Sequence, residues 1–243
     1  MTEKELTGRI ARERIRLMAV PRLPDGIVEG FSALGDASGI VSDTLDELGL
    51  PGALPASTFR PTMPGARVVG PALTVRNIMR ARDPVQAARD KVNGMAEFEA
   101  HNLAQAGDVL VIDGVPGISN MGGISAQIAR RQGEIGAIVA GGVRDVNHSR
   151  EAGYPVWSTE VTPVTGKWRI ETVEINGVVE IGGLQLAAGD LVLADDTGVC
   201  FVPRARVAEV LRICQKKAAG EDARCAAIDR GTPLPELLRT TSA

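Results

Sequence analysis

Aromatic side chains are scarce in this chain: one tyrosine, Tyr154, two tryptophans and four phenylalanines stand among 243 residues. That scarcity excludes the stacked aromatic platforms that hold single-stranded nucleic acid, and it leaves Val, Ile, Leu and Ala to build the core. Cysteine is equally sparse. Cys200, Cys214 and Cys225 are odd in number and lack metal-type spacing, which argues against a secreted disulfide framework and against a thiolate zinc site. Excess charge is missing too. The 27 Lys and Arg against 30 Asp and Glu leave a net charge of −3, with the basic residues dispersed, so there is no footprint for nucleic acid or for an anionic membrane. No run approaches the ~18 apolar residues of a membrane span. The opening MTEKELTGRIARERIRLM carries charge where a signal peptide needs an apolar centre. The expectation is a cytoplasmic protein with a small-molecule partner.

What is present is an ordinary globular balance, 44% apolar and 23% charged, tilted towards loops by 28 glycines and 14 prolines. Leu6, Ile10 and Leu17 lie at roughly helical spacing, predicting an N-terminal helix over 4–18 outside the core. Helices are predicted over 26–34 and 38–48, the second closed by Gly49 and then Pro51. Residues 51–65, with four prolines, read as a loop, and ARVVGPALTVRNI reads as a strand pair. A helix from 85 to 103 leads into a buried strand at 109–113. NMGGISAQIARRQG then opens a helix on two glycines, with Ile124, Ile128 and Ala129 on one face, and a second buried strand over 137–140 ends at Gly141 and Gly142. Strand, helix, strand is a βαβ unit and demands a parallel pair. Residues 155–203 hold short strands between turn signals and look antiparallel or barrel-like. Helical spacing returns over 204–219, and a short helix follows. The organisation read from this is an N-terminal helical extension (1–25), a central domain (26–204) and a C-terminal helical segment (205–243).

The densest chemistry is Gly141-Gly142-Val143-Arg144-Asp145, just past a buried strand, where α/β folds bind their ligands. Arg144 offers a planar fork of donors suited to a carboxylate, and Asp145 offers hard oxygen ligands to Mg²⁺ or Mn²⁺. The plainer alternative is a helix cap and a surface ion pair. Gly122 and Gly123 open the neighbouring helix, whose free N–H groups can bind an anion at close range.

The spacing Gly123, twenty residues, Arg144-Asp145 resembles the signature of the RraA-like family, which includes the 4-hydroxy-4-methyl-2-oxoglutarate / 4-carboxy-4-hydroxy-2-oxoadipate aldolases. The likeness runs through SGIVSDTLDELGLPGAL, PGARVVGPALTVR, AGDVLVIDG, GGVRD, GYPVWSTEVTP and AAGDLVLADDTGVCFVP, in that order. The resemblance implies an α/β fold, a layered α-β-β-α sandwich of the swivelling phosphohistidine-domain type with a mixed sheet. It implies homotrimers or homohexamers with active sites at subunit boundaries, the C-terminal segment packing on a neighbour. It further implies a metal-dependent lyase that cleaves a 4-hydroxy-2-oxo acid to pyruvate through an enolate, with oxaloacetate decarboxylation as a side activity. Arg144 would hold the carboxylate and keto oxygen of the 2-oxo acid, Asp145 would bind Mg²⁺ or Mn²⁺, and Gly122, Gly123 and the amides of Ile124 and Ser125 would hold the carboxylate. The same family name also covers non-catalytic regulators that bind a ribonuclease, and members that have moved to another metal-dependent reaction on a 2-oxo acid.

The chain departs from the family pattern where an acidic residue is expected shortly after the Asp: His148 stands there, with Glu151 one helical turn on. Near the family's C-terminal carboxylate stands Gly220, with Glu221 and Asp222 beside it. Asp43 is a candidate for metal waters or a plain helix-surface residue. His101 is read as a helix-end residue with no site role, Asp195-Asp196 as a polar turn, and Trp157 and Trp168 as packing or interface residues.

Overall fold

The computed structural model describes residues 4–239; residues 1–3 and 240–243, the outermost parts of the two terminal segments, lie outside it. Two helices open the core as their spacing predicts, α1 (Ile27–Ser32) and α2 (Ala37–Glu47), with Gly49 left-handed at φ 63° just past the second. Where a loop was expected stand two short strands, β1 (Ala53–Pro55) and β2 (Arg60–Pro61). They occupy the two outer ends of the main sheet, where a proline that cannot donate is tolerated. The prolines therefore spoke only against a central strand. β3 (Val68–Met79) is one unbroken strand and not the expected pair. Gly70 makes no turn; a Cβ there would lie 2.2 Å from the Gly107 carbonyl oxygen, so the glycine permits close backbone approach. The expected helix over 85–103 is split into α3 (Pro84–Arg89) and α4 (Glu97–Leu103). Lys91 turns left-handed at φ 54°, and Gly94 lies so near the Ile170 carbonyl oxygen that a Cβ would sit 2.5 Å from it.

β4 (Val109–Asp113), β5 (Ser119–Met121), α5 (Gly123–Gln132), β6 (Gly136–Val143) and α6 (Val146–Glu151) follow. β4 and β6 pair in parallel, as the βαβ reading requires. The buried positions of α5 are Gly123, Ser125, Ala126 and Ala129, whereas Ile124 is 63% exposed. The expected apolar face is thus rotated, because small residues let the helix lie close to its neighbours. β7 (Val156–Val161) runs parallel to β6, the exception in a second half that is otherwise antiparallel. β8 (Ile170–Ile175) pairs with β3, β9 (Val178–Ile181) and β10 (Leu184–Ala187) form a separate hairpin, and β11 (Leu191–Ala194) lies between β3 and β12 (Gly198–Val202). Helices α7 (Val207–Asp229) and α8 (Leu234–Arg239) come last.

Among the described residues the main sheet is mixed and ten-stranded, ordered β1-β12-β11-β3-β4-β6-β7-β2, with β5 on β6 and β8 on β3 off that path. Strict alternation distributes its side chains. Val109, Val111 and Ile138 of β4 and β6 meet Val192, Val199 and Phe201 of β11 and β12, together with the β9–β10 hairpin, in one apolar cluster. Leu110, Ile112, Ala137 and Val139 point the other way, onto α4 and α5. Leu191, Leu193, Cys200 and Val202 point onto α1, α2 and α7. No helix among the described residues is long and apolar enough to cross a membrane.

The N-terminal helix predicted over 4–18 does not form; a single 3-10 turn at Arg12–Arg14 is all that is helical there. Tertiary contacts hold this segment open, overriding propensity. Lys4 donates to the carbonyl oxygens of Asn102 and Ala104, the amide and hydroxyl of Thr7 donate to Glu99, and Ile15 bridges to Ile175 of β8. Ile10, Ile15 and Val20 are buried against the helix-facing side of β3 and β4.

The glycines separate two behaviours that denaturant titration should resolve. Gly70→Ala is expected to cost about 1–3 kcal/mol through overpacking. Gly39→Ala, within α2 where a Cβ meets nothing within 4 Å, is expected to stabilise by about 0.4–1 kcal/mol.

Candidate functional site

The C-terminal end of β6 organises the site. Its last residues, Gly141, Gly142 and Val143, carry the loop that ends in β5 strapped across them: the Gly142 amide donates to the Ile118 carbonyl at 3.1 Å, and the Arg144 amide donates to the Met121 carbonyl at 3.1 Å. A Cβ at residue 141 would lie 2.4 Å from Asn120 Nδ2, and one at 142 would lie 2.4 Å from the Thr162 methyl. The two glycines thus exist for close contact. Met121 leads directly into Gly122 and α5, so the strap delivers the N-terminus of α5 beside Arg144 and Asp145.

Asp145 sits at the N-cap of α6 in the left-handed region, φ 56° and ψ 41°, and its side chain makes no capping bond to that helix. The capping alternative is therefore not what the geometry supports. Instead, Asp145 Oδ2 accepts the amide of Gly123 at 3.2 Å, in the first turn of α5, and lies 3.5 Å from Arg144 Nε. The side chain is 51% exposed, and among the described residues Oδ1 accepts nothing. The terminal nitrogens of Arg144 likewise have no hydrogen-bond partner among those residues, so a fork of donors and a free carboxylate oxygen stand side by side. The amides of Ile124 and Ser125, in the first helical turn, also lack acceptors there.

Gly122, Ile124, Ser125, Arg144 and Asp145 line one cavity. Gly123 stands behind it, its amide engaged by Asp145. A Cβ on Gly123 would come within 2.6 Å of the His148 ring, so this glycine makes room for the histidine. Lys167 enters the same cavity, as do Met95, Glu97 and Phe98. None of these four was legible as a site residue. The sole signal was Gly166, where a Cβ would strike the Ser119 carbonyl oxygen at 2.4 Å, because the turn before β8 lies tightly against β5. Burial pushes the Glu97 carboxyl above the usual carboxylate range, against the opposing pull of His101, Arg9 and Lys167. Two cationic side chains, Arg144 and Lys167, thus share the cavity with the carboxyl of Asp145, and such a lining favours a small organic anion.

A second, wider cavity lies on the other side of the Arg144-Asp145 pair and is lined by Asn147, His148, Thr162 and Pro163. His148 Nε2 lies 3.3 Å from Gln127 Oε1. Glu151, at the C-terminal end of α6, lines neither cavity. Glu221 and Asp222 are on the exposed part of α7. Asp43 lines a separate cleft with Ser38, Ser42 and Cys200. Asp195 does form a turn, accepting the amides of Thr197 and Gly198, and Trp157 is fully buried. His101 does stand in the last turn of α4, as expected, but it is wholly buried, 2.7 Å from Glu134 Oε1 through Nδ1 and 2.7 Å from the Ser125 hydroxyl through Nε2. Among the described residues no group of three or more His, Cys, Asp or Glu could hold a metal ion.

A family model described as RraA-like, Aldolase/RraA, matches residues 38–201. The protein DlpA of Legionella pneumophila is 31% identical over 70% of this chain, and the match spans only 27% of DlpA. A Halalkalibacterium halodurans protein provisionally named 4-hydroxy-4-methyl-2-oxoglutarate aldolase is 31% identical over 77% of this chain and 82% of its own length. Among solved structures, Streptomyces coelicolor RraAS2, described as an unusual member of the RNase ES inhibitor RraA protein family, superposes with a TM-score of 0.69 at 26% identity. That superposition covers 83% of this chain and 97% of RraAS2.

The contact between Gly123 and His148 has a measurable signature. Gly123→Ala is expected to destabilise by about 1–3 kcal/mol, and His148→Ala in the same chain should recover most of the loss. A double-mutant cycle followed by denaturant titration checks this, and purely additive effects would show that the two residues do not compete for that space.

Proposed function

The chain belongs to the RraA-like family, and from that membership we propose that it is a divalent-metal-dependent carbon–carbon lyase that releases pyruvate from a 4-hydroxy-2-oxo acid. The observation that carries the reading is the convergence of the unspent Arg144 fork, the free Asp145 oxygen and the free amides of Ile124 and Ser125 on one cavity. The name of the Halalkalibacterium relative supports the substrate class.

In this reading the guanidinium of Arg144 pairs with the carboxylate and keto oxygen of the 2-oxo acid, and the two amides of α5 donate to the carboxylate oxygens. Lys167 adds a second positive charge to the same cavity. Asp145 fits a Mg²⁺ or Mn²⁺ ion, because one half-exposed carboxylate with a free oxygen and open space around it suits a hard cation that keeps several waters. When bound, such an ion supplies positive charge that steadies the developing enolate. Cleavage also requires a group that takes the 4-hydroxyl proton. His148, on the other side of Asp145, is the side chain at hand, though an imidazole brings no negative charge in place of an acid. Oxaloacetate decarboxylation would use the same enolate. The reading extends to a cytoplasmic homotrimer or homohexamer with sites at subunit boundaries, and to an α-β-β-α sandwich of the swivelling type.

A second reading, a non-catalytic regulator that binds a ribonuclease, draws support from the description of the RraAS2 neighbour. A coupled assay for pyruvate separates the two. The expected result is turnover of oxaloacetate or a 4-hydroxy-2-oxo acid with Mg²⁺ or Mn²⁺, lost on chelation and restored by the metal; no turnover together with ribonuclease inhibition would favour the regulator. Arg144→Ala and Asp145→Ala are each expected to lower kcat/KM by at least ~100-fold with the fold intact, and a fully active Asp145→Ala would remove the metal from the scheme.

A further inference from the structure

Behind the cavity wall lies a run of polar side chains that neither the family likeness nor the lyase reading uses. The Ser125 hydroxyl is 2.7 Å from His101 Nε2, His101 Nδ1 is 2.7 Å from Glu134 Oε1, and the Tyr154 hydroxyl lies 3.0 Å from Glu134 Oε2 and 2.9 Å from the Gly136 carbonyl oxygen. His101, Glu134 and Tyr154 have no exposed surface, and Ser125 has 3%. They come from α4, the first turn of α5, the turn after α5, and the residues before β7. A buried ion pair of this kind contributes little to stability compared with apolar packing. Its one end at the cavity is Ser125, beside Arg144.

The order of groups matches that of serine–histidine–acid triads, but the charge state differs. Burial alone would push the His101 pKa down, yet the adjoining Glu134 carboxylate, by charge and by hydrogen bond, and Glu97 on its own helix outweigh this and the net direction is up. With both ring nitrogens protonated, Nδ1–H donates to Glu134 and Nε2–H donates to Ser125 Oγ, so the serine's own hydrogen is left for the cavity. That arrangement suits a donor and not a nucleophile.

We propose that Ser125 is the catalytic proton donor of the cavity, and that His101 and Glu134 are positioning residues that orient and recharge it. The proposal rests on the lyase reading. As the pyruvate enolate collapses, its C3 takes the Ser125 hydroxyl proton and the carbon–carbon π pair becomes the new C–H bond. Ser125 Oγ takes the proton from His101 Nε2, leaving a neutral imidazole that still donates from Nδ1 to Glu134. Solvent returns one proton through Ser125 when the cavity opens, and nothing is oxidised or reduced.

The half-reaction can be isolated by following exchange of pyruvate methyl protons for deuterium by NMR, with Mg²⁺ present. Ser125→Ala is expected to slow exchange by about 100-fold with KM nearly unchanged, and Ser125→Thr, which keeps a hydroxyl, should retain most of the rate. Exchange begins with removal of a methyl proton, which runs the relay in reverse, so it should require neutral His101 and rise as pH rises through its pKa. Glu134→Gln removes the charge that raises that pKa, so this limb should move to lower pH by at least about one pH unit. Because the chain has only two histidines, ¹⁵N NMR can read His101 directly, and a protonated ring at pH 7 is expected. A wild-type rate in folded Ser125→Ala, a neutral His101, or an unmoved limb in Glu134→Gln each overturns the proposal. Wild-type protein inactive in both exchange and pyruvate release instead overturns the lyase reading, and the relay with it.

Discussion

Everything near the candidate site depends on how closely two pieces of backbone approach at the C-terminal end of β6. Gly141 and Gly142 remove the side chains that would hold the β5 strap away, and the strap then delivers α5 so that the Gly123 amide reaches Asp145 Oδ2 at 3.2 Å. That bond engages one donor of the α5 N-terminus and one oxygen of the carboxylate, leaving the other oxygen and the next two amides free. It also holds Asp145 left-handed, at φ 56°, a conformation a non-glycine residue adopts only where its surroundings determine it. The strain, the close approach and the open donors are one arrangement.

Charge in the cavity follows from this packing. Arg144 and Lys167 come from separate elements, one from the end of β6 and the other from the turn before β8, and Glu97 is desolvated by burial in the same wall. Burial that raises the Glu97 pKa weakens its competition with an incoming anion, and the Arg144 fork keeps its terminal donors unpaired. His148 occupies space that a side chain at residue 123 would otherwise take, which ties the replacement of an expected acid by histidine to the glycine opposite it. Behind the wall, the His101–Glu134 pair gives Ser125 a polarity that its position on a buried helix face would not by itself provide.

The chain-local features of this molecule were legible from the residues. The βαβ unit around β4, α5 and β6, the glycines flanking it, the helices α1 and α2, and the adjacency of Arg144 and Asp145 at a strand end all follow from periodicity and turn chemistry within about ten residues. Features that depend on distant partners were not. The 4–18 segment has helical spacing but is held open by Glu99 and by a bridge to β8. Ile124 keeps its periodicity while facing outward, because the small face of α5 packs inward. His101 stands at the helix end where it reads, but its partners Glu134 and Ser125 lie more than twenty residues away in the chain.

The sequence by itself determined the class of the chain, the parallel unit that carries Arg144 and Asp145, and the glycines that permit close contact, since these rest on backbone geometry and hydrophobic period, which act locally. Only the tertiary structure decided that Lys167 and Glu97 share a cavity with Arg144, that Asp43 and Glu151 stand apart from it, and that Ser125 is backed by a buried histidine. The residues brought together, Lys167 and Glu97 with Arg144 and His101 with Ser125, are separated by 20 positions or more. These placements depend on how sheet and helices pack around close backbone contacts, a quantity that no local pattern of side chains encodes.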